Sequence, residues 1–164
     1  PPAVRDRRAR PDLIGILMLV RRAVAADAQA LTDLTQSSTA YAGEYRTILD
    51  GLAITPAQVE RDLYYLVEDD HGGPAGYYTL IAHDDGVAEL DLLFVADHAQ
   101  GGGLGALLFR HMVMVAREHG FTRVRIVSHP PAEPFYLRMG AQRVGTQPPQ
   151  GRVTWSRPLL ELLL

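Results

Sequence analysis

The segment Gln100-Gly101-Gly102-Gly103-Leu104-Gly105-Ala106 sets four glycines within five residues, between an apolar strand-like run and a helical one. A helix that begins in glycine leaves its first N–H groups bare, and with the helix dipole such groups bind phosphate oxygens. Glycine also adopts positive φ without steric cost and lets a ligand approach the main chain. A phosphorylated ligand is therefore expected here. Upstream, Glu89 and Asp91 stand two residues apart in the run Ala88 to Val95. On a strand that spacing puts both carboxylates on one face, and strand interiors disfavour acids, so the pair needs a reason. Service as a general base is one reason. Pairing with an arginine is the other.

Two common phosphate loops can be tested on these residues. A nucleoside-triphosphate loop needs a lysine after its last glycine. Ala106 follows Gly105, and the chain has no lysine at all, its 16 basic residues all being arginine. A dinucleotide loop needs a third glycine and an acid after the next strand. Leu108 and Ser128 stand there instead. That reading fits poorly, and a nucleotide-binding oxidoreductase stays open on the residues alone.

The pattern that fits is Gln-x-x-Gly-x-Gly, from Gln100 to Gly105. It resembles the coenzyme A loop of the GNAT superfamily of N-acetyltransferases, whose usual form is Arg/Gln-x-x-Gly-x-Gly/Ala. Downstream, Ala132-Glu133-Pro134-Phe135-Tyr136-Leu137-Arg138-Met139-Gly140-Ala141 resembles that family's Ala-x-x-Phe-Tyr-x-x-x-Gly-Ala segment. Upstream, Val20 to Ala28 resembles its first strand and helix entry. The three matches lie in the family's order and span roughly residues 18–164.

The resemblance implies an α/β (α+β) fold, with one mixed, mostly antiparallel sheet of six to seven strands flanked by helices. Two central strands splay apart and admit the cofactor. It implies an acetyl-CoA-dependent N-acetyltransferase that passes an acetyl group directly to a primary amine of a small molecule or peptide. The cofactor would be held at Leu93, Phe94, Val95, Gln100, Gly101, Gly102, Gly103, Leu104, Gly105, Ala106, Ser128, Phe135 and Arg138. The strand backbone around Leu93 to Val95 would carry the oxyanion donor. Tyr136, second in the Phe-Tyr pair, would protonate the leaving thiolate, although an aromatic pair also packs short helices. Glu89 occupies the place of a base in some members, and Asp91 is the second candidate. Tyr41, Glu44, Tyr45 and His129 would form the acceptor site, where tyrosines and an acid suit a cationic amine. Pro131 stands where the family often has asparagine, so one hydrogen bond to the coenzyme or to Tyr136 is missing. A non-catalytic acyl-CoA-binding module of the same fold is the rival reading.

The elements must carry these residues into place. A strand is expected over 17–22, a helix over 25–36 and helical structure from Gly43 to Leu52. Thr55-Pro56 opens a helix running to about Asp62, with threonine as cap and proline first. Strands follow over 63–68, 76–82 and 87–95, with turns at Asp69 to Gly73 and Asp84 to Gly86. After the glycine loop, Leu104, Leu107, Leu108, Met112, Val115 and Ala116 recur at helical spacing, and Gly120 ends that helix. A strand over 123–127, a short helix over 132–139, and strands over 142–145 and 153–163 complete the order.

Composition sets the outer bounds. The 164 residues suit one domain, and 47% hydrophobic content supports a core. A net charge of −3 with interspersed signs gives no nucleic-acid or membrane-surface footprint. The absence of cysteine removes disulfides, thiolate zinc sites and a cysteine nucleophile, and fits a reducing cytoplasm. Six histidines show no metal-ligand spacing, so no metal is expected. A homodimer is compatible with the chain. Residues 1–17 read as a Pro/Arg-rich extension, with the domain starting at Met18.

Overall fold

The computed structural model describes residues 19–164; the expected extension over 1–17, the Met18 start and the beginning of the first strand lie outside the described residues. Strand β1 (Val20–Arg22) leads through a 3₁₀ turn (Ala25–Asp27) into helix α1 (Ala28–Ser37). Helix α1 buries Ala28, Leu31, Leu34 and Thr35, one face at helical spacing. The expected helix after it is instead a 3₁₀ segment (Gly43–Leu49). Side chains tie that segment to α1. Gln36 Nε2 donates to the carbonyls of Leu49 at 2.8 Å and Leu52 at 2.9 Å, and Arg46 reaches the Ser38 carbonyl at 3.2 Å. Helix α2 (Pro56–Arg61) starts in a reciprocal cap: Thr55 Oγ1 accepts from Gln58 N–H at 3.2 Å while Gln58 Oε1 accepts from Thr55 N–H at 2.8 Å.

Three antiparallel strands follow, β2 (Leu63–Glu68), β3 (Pro74–Ala82) and β4 (Val87–Val95). Helix α3 (Leu104–Glu118), strand β5 (Arg123–Val127), helix α4 (Glu133–Arg138) and strands β6 (Gln142–Gln147) and β7 (Arg157–Leu163) complete the fold. The last strand starts at Arg157 rather than Val153, which forms only an isolated bridge to Gln150. The seven-stranded sheet runs β1-β2-β3-β4-β5-β7-β6, and its one parallel pair is β4 with β5.

Two cores sit on the two faces of this sheet. Helices α3 and α4 cover one, with Leu108, Phe109 and Met112 packed on Tyr78, Leu80, Val124 and Ile126. Helices α1 and α2 cover the other over β2 to β4, with Leu31 and Val59 against Tyr64, Tyr77 and Phe94. Gly76 lets α3 approach β3 closely: a Cβ there would stand 2.9 Å from Leu108 Cδ1 and 3.0 Å from the Phe94 carbonyl. Helix α3 ends where Gly120 takes φ +76° and Phe121 N–H donates to the Ala116 carbonyl at 3.0 Å.

Strand β4 contains an extra residue. Thr79 faces Leu92 but Leu80 faces Leu90, so Asp91 bulges out of the ladder. The bulge flips the side-chain phase. Before it, Ala88 and Leu90 pack under α3; beyond it, Leu93 and Val95 do, while Leu92 and Phe94 turn to the α1 face.

Candidate active site

The pairing of β4 with β5 covers only Val87, Ala88 and Glu89 against Arg123, Val124 and Arg125. Beyond that point the two strands part. From Leu90 onward, β4 pairs with β3 alone and offers an open edge to the gap. Ala96 N–H donates to the Ala75 carbonyl at 2.8 Å, toward β3. Because hydrogen-bond direction alternates along a strand, the N–H groups of Leu93 and Val95 point the other way, into the gap. The Val95 carbonyl does so too, and Gln100 Nε2 donates to it at 3.3 Å.

The glycine loop closes the far end of this edge. Gly101 and Gly103 take φ of +80° and +83°, and a Cβ at either would meet nothing within 4 Å. These glycines serve backbone conformation and leave open space above the loop. The first amide of α3 to find a main-chain acceptor is Leu107, which bonds the Gly103 carbonyl at 3.1 Å. The amides of Gly101 to Ala106 make no main-chain hydrogen bond among the described residues. A row of unsatisfied amides at the N-terminus of a long helix, beside an open strand edge, fits a pyrophosphate and the amide-bearing arm of coenzyme A. Gln100 is turned away from that row, toward Val95 and the Asp97 carboxylate at 3.2 Å. Its side chain therefore braces the loop.

Tyr136 sits on α4, 9% exposed, with its ring against Phe135 and Phe109 at centroid distances of 5.2 and 6.2 Å. Its hydroxyl bonds no other described residue. Burial, and then the Tyr41 phenol, raise its pKa above the usual tyrosine value, so it stays protonated. Phe135 packs its ring 3.7 Å from where a Gly105 Cβ would stand, joining α4 to the loop.

On the opposite face of the sheet lies a cavity of about 620 Å³. Neither helical layer covers β5 and β7 there, because their core-facing residues all point under α3 and α4. Both strand carboxylates line it, as their spacing predicts, but their surroundings differ. Glu89 is engaged: His83 Nε2 lies 2.8 Å from its Oε2, and Arg125 lies 3.8 Å away. Asp91, on the bulge, has no hydrogen bond or ion pair to another described residue. Asp91 is exposed to solvent within the cavity, yet the surrounding strand and cavity walls hold enough protein near its carboxyl to strip part of its hydration. That desolvation, then the charges of Glu89 and Asp62, raise its pKa above the usual aspartate value.

The aromatic wall comes from afar. Tyr41 stacks on His129 with ring centroids 4.0 Å apart, and Tyr45 meets the same imidazole edge-on at 4.8 Å. His129 Nε2 lies 3.2 Å from the Ala40 carbonyl. Burial lowers the His129 pKa more than that hydrogen bond raises it, so the ring is neutral near pH 7. Burial pushes the Tyr41 hydroxyl up to about 12, with Arg157 pulling down and Asp91 pushing up.

Four expected site residues are placed elsewhere, Tyr45 among them: it packs on His129 and on Trp155, at 5.0 Å, without lining the cavity. Glu44 is exposed on the 3₁₀ segment and does not line the cavity. Ser128 spends its hydroxyl on the His129 carbonyl at 2.7 Å. Arg138 lies in a separate groove with Arg110 and Arg117. Conversely, Tyr64, Ile48, Leu52 and Arg157 line the cavity without having been expected. Alternation in Arg157 to Leu162 was a usable signal for the face of Arg157, since Leu160 and Leu162 face the core.

Among the described residues, no group of three or more His, Asp or Glu side chains could hold a metal ion, and no helix is long and apolar enough to cross a membrane.

The same architecture recurs in solved structures. The S18-alanine N-acetyltransferase of ribosomal protein from Escherichia coli is 17% identical, with a TM-score of 0.66 over 88% of this chain and 92% of its own. A phosphinothricin acetyltransferase from Sinorhizobium meliloti, solved in complex with AcCoA, is 20% identical, with a TM-score of 0.68 over 88% of this chain and 87% of its own. A GNAT-family acetyltransferase from Streptococcus pneumoniae is 19% identical, with a TM-score of 0.70 over 89% and 98%. At such identities the likeness concerns the fold. No curated protein sequence matches the chain. The family model for acetyltransferases of the GNAT family matches residues 29–141, more than half of the chain and inclusive of the splayed strand, the glycine loop and the Phe-Tyr helix. The chain is therefore a member of the GNAT acetyltransferase family.

Proposed function

We propose that the protein is an acetyl-CoA-dependent N-acetyltransferase acting on a primary amine, with the cofactor in the gap between β4 and β5 and the amine in the cavity on the opposite face. The observation that carries this is the splay itself. It leaves an open β4 edge beside unsatisfied amides, and an unpaired carboxylate, Asp91, in the cavity on the other face. The amides of Gly101 to Ala106 hold the pyrophosphate, and the open β4 edge at Leu93 and Val95 orients the arm.

Acetyl-CoA supplies an activated acetyl group, which leaves sulfur for the amine nitrogen and gives an N-acetyl product and free coenzyme A. This chain's residues manage the protons and the charge. Asp91 accepts a proton from the ammonium form of the acceptor, its raised pKa keeping it a better base than an ordinary aspartate. The N–H groups of Leu93 and Val95 face the region where negative charge grows on oxygen, and stabilise it. Tyr136 donates its phenolic proton to the departing sulfur, and the second proton that the nitrogen loses on becoming an amide restores the phenol. Tyr41 and Tyr64 exclude water around the amine. A cytoplasmic setting accords with a chain that has no cysteine.

A coenzyme A release assay over a panel of primary amines tests the proposal. Release with at least one amine, abolished in the Asp91→Asn, Tyr136→Phe double variant, is expected. Tight acetyl-CoA binding with no release from any amine would instead support the non-catalytic module.

A further inference from the structure

The charges lining the cavity do not cancel. Glu89 and Arg125 face each other at 3.8 Å and neutralise one another, with His83 on the same carboxylate. His129 is neutral near pH 7. Two unmatched charges remain, the Asp91 carboxylate and the Arg157 guanidinium. Arg157 opens β7, whose neighbour Pro158 accepts from Ser128 N–H at 2.8 Å at the end of β5. It thus stands beside the mouth of the splay. Its Nε is buried without a hydrogen-bond partner, and no carboxylate pairs with it among the described residues. A buried donor with no acceptor is costly, and a guanidinium presents a planar fork suited to a carboxylate. Ile48, Leu52 and Ile54 give the same lining an apolar part. The volume, about 620 Å³, is that of a small-molecule site.

Building on the acetyltransferase reading above, we propose that the acceptor is an amino-carboxylate of amino-acid size: its amine meets Asp91, its carboxylate meets Arg157, and an apolar side group lies on Ile48, Leu52 and Ile54. Arg157 then sets specificity from outside the stretch that the family model matches, which ends at residue 141.

Matched pairs test this. Leucine, methionine and phenylalanine are compared with their carboxamides, which keep the amine and the side group but lose the anion. Calorimetry with coenzyme A present should show at least one acid binding about tenfold or more tighter than its amide, the range of a hydrogen bond to a charged group. Arg157→Gln should bring that ratio near one, and Arg157→Lys should leave an intermediate ratio. Equal binding of acid and amide, a preference that survives Arg157→Gln, or no binding of any acid at millimolar concentration would overturn the proposal. Acids that bind with the preference yet release no coenzyme A would sink the acetyltransferase reading and leave the cavity as an amino-carboxylate binding site. Acids and amides acetylated equally well would do the reverse.

Discussion

On the glycine-loop side of the splayed strands, the groups proposed to bind the cofactor are main-chain amides from one unbroken stretch, Gly101 to Ala106. On the cavity side they are side chains gathered from five segments: Tyr41, Tyr64, Asp91, His129 and Arg157. A main-chain site depends on backbone shape, so it tolerates changes that keep φ and open space. A side-chain site depends on each group's identity and on the register that brings it in. The first should degrade gradually under substitution, and the second abruptly.

The largest effect is expected at Asp91. Asp91→Asn should lower kcat/KM by about 10³-fold, within the usual range for a lost general base. Wild-type kcat/KM should rise with pH through one ionisation above the ordinary aspartate range, because the carboxylate form is the active one. The variant should lose that limb. Stability should move the opposite way. A folded pKa raised above the unfolded value means that the folded state prefers the neutral acid. The penalty is complete above the folded pKa and fades as pH falls through it. Asp91→Asn should therefore melt higher than wild type at pH 8, with the gap closing toward pH 4. A variant that keeps the pH limb would hand deprotonation to water.

Tyr136→Phe comes next. It keeps the ring packing on Phe109 and Phe135 and removes only the hydroxyl. Turnover should fall about 10²-fold with little change in melting temperature or acetyl-CoA affinity. Wild-type kcat in this variant would defeat the assignment of the acid.

The main-chain side should be more forgiving. Gly103→Glu forces a side chain onto φ +83° and sets a negative charge beside the amides. Calorimetry should show acetyl-CoA binding weakened by about tenfold, or roughly 1.4 kcal/mol. Unchanged affinity in a folded variant would show that phosphate binds elsewhere.

The smallest effect separates the two carboxylates. Glu89→Gln removes a partly exposed ion pair, so kcat/KM should change by less than about fivefold, with the pH limb in place. A loss as large as that at Asp91 would exchange their roles.

The glycine loop and the elements around it were legible in the sequence because their signals are local. Four glycines at a strand-to-helix junction, a helical stripe from Leu104 to Ala116 and a Phe-Tyr pair need no distant partner to be recognised. The mixed, mostly antiparallel sheet flanked by helices followed from the family resemblance that these segments carry. Even the shared face of Glu89 and Asp91 was readable, since two-residue spacing on a strand is a local property.

The acceptor side was decided by long-range pairing. Register between β3 and β4 makes Asp91 a bulge, which turns Leu92 and Phe94 to the other face and leaves the carboxylate unpaired. Nothing in Ala88 to Val95 says that His83 and Arg125 will take Glu89 and spare Asp91. Glu44 and Arg138 have suitable chemistry in suitable segments, yet side-chain direction carries one to open solvent and the other to a separate groove. Arg157 reaches the cavity only because β7 inserts between β5 and β6. Local sequence dictates backbone preference and periodicity. Which side chains share a cavity is set by contacts between strands far apart in the chain, and only the folded sheet makes those contacts.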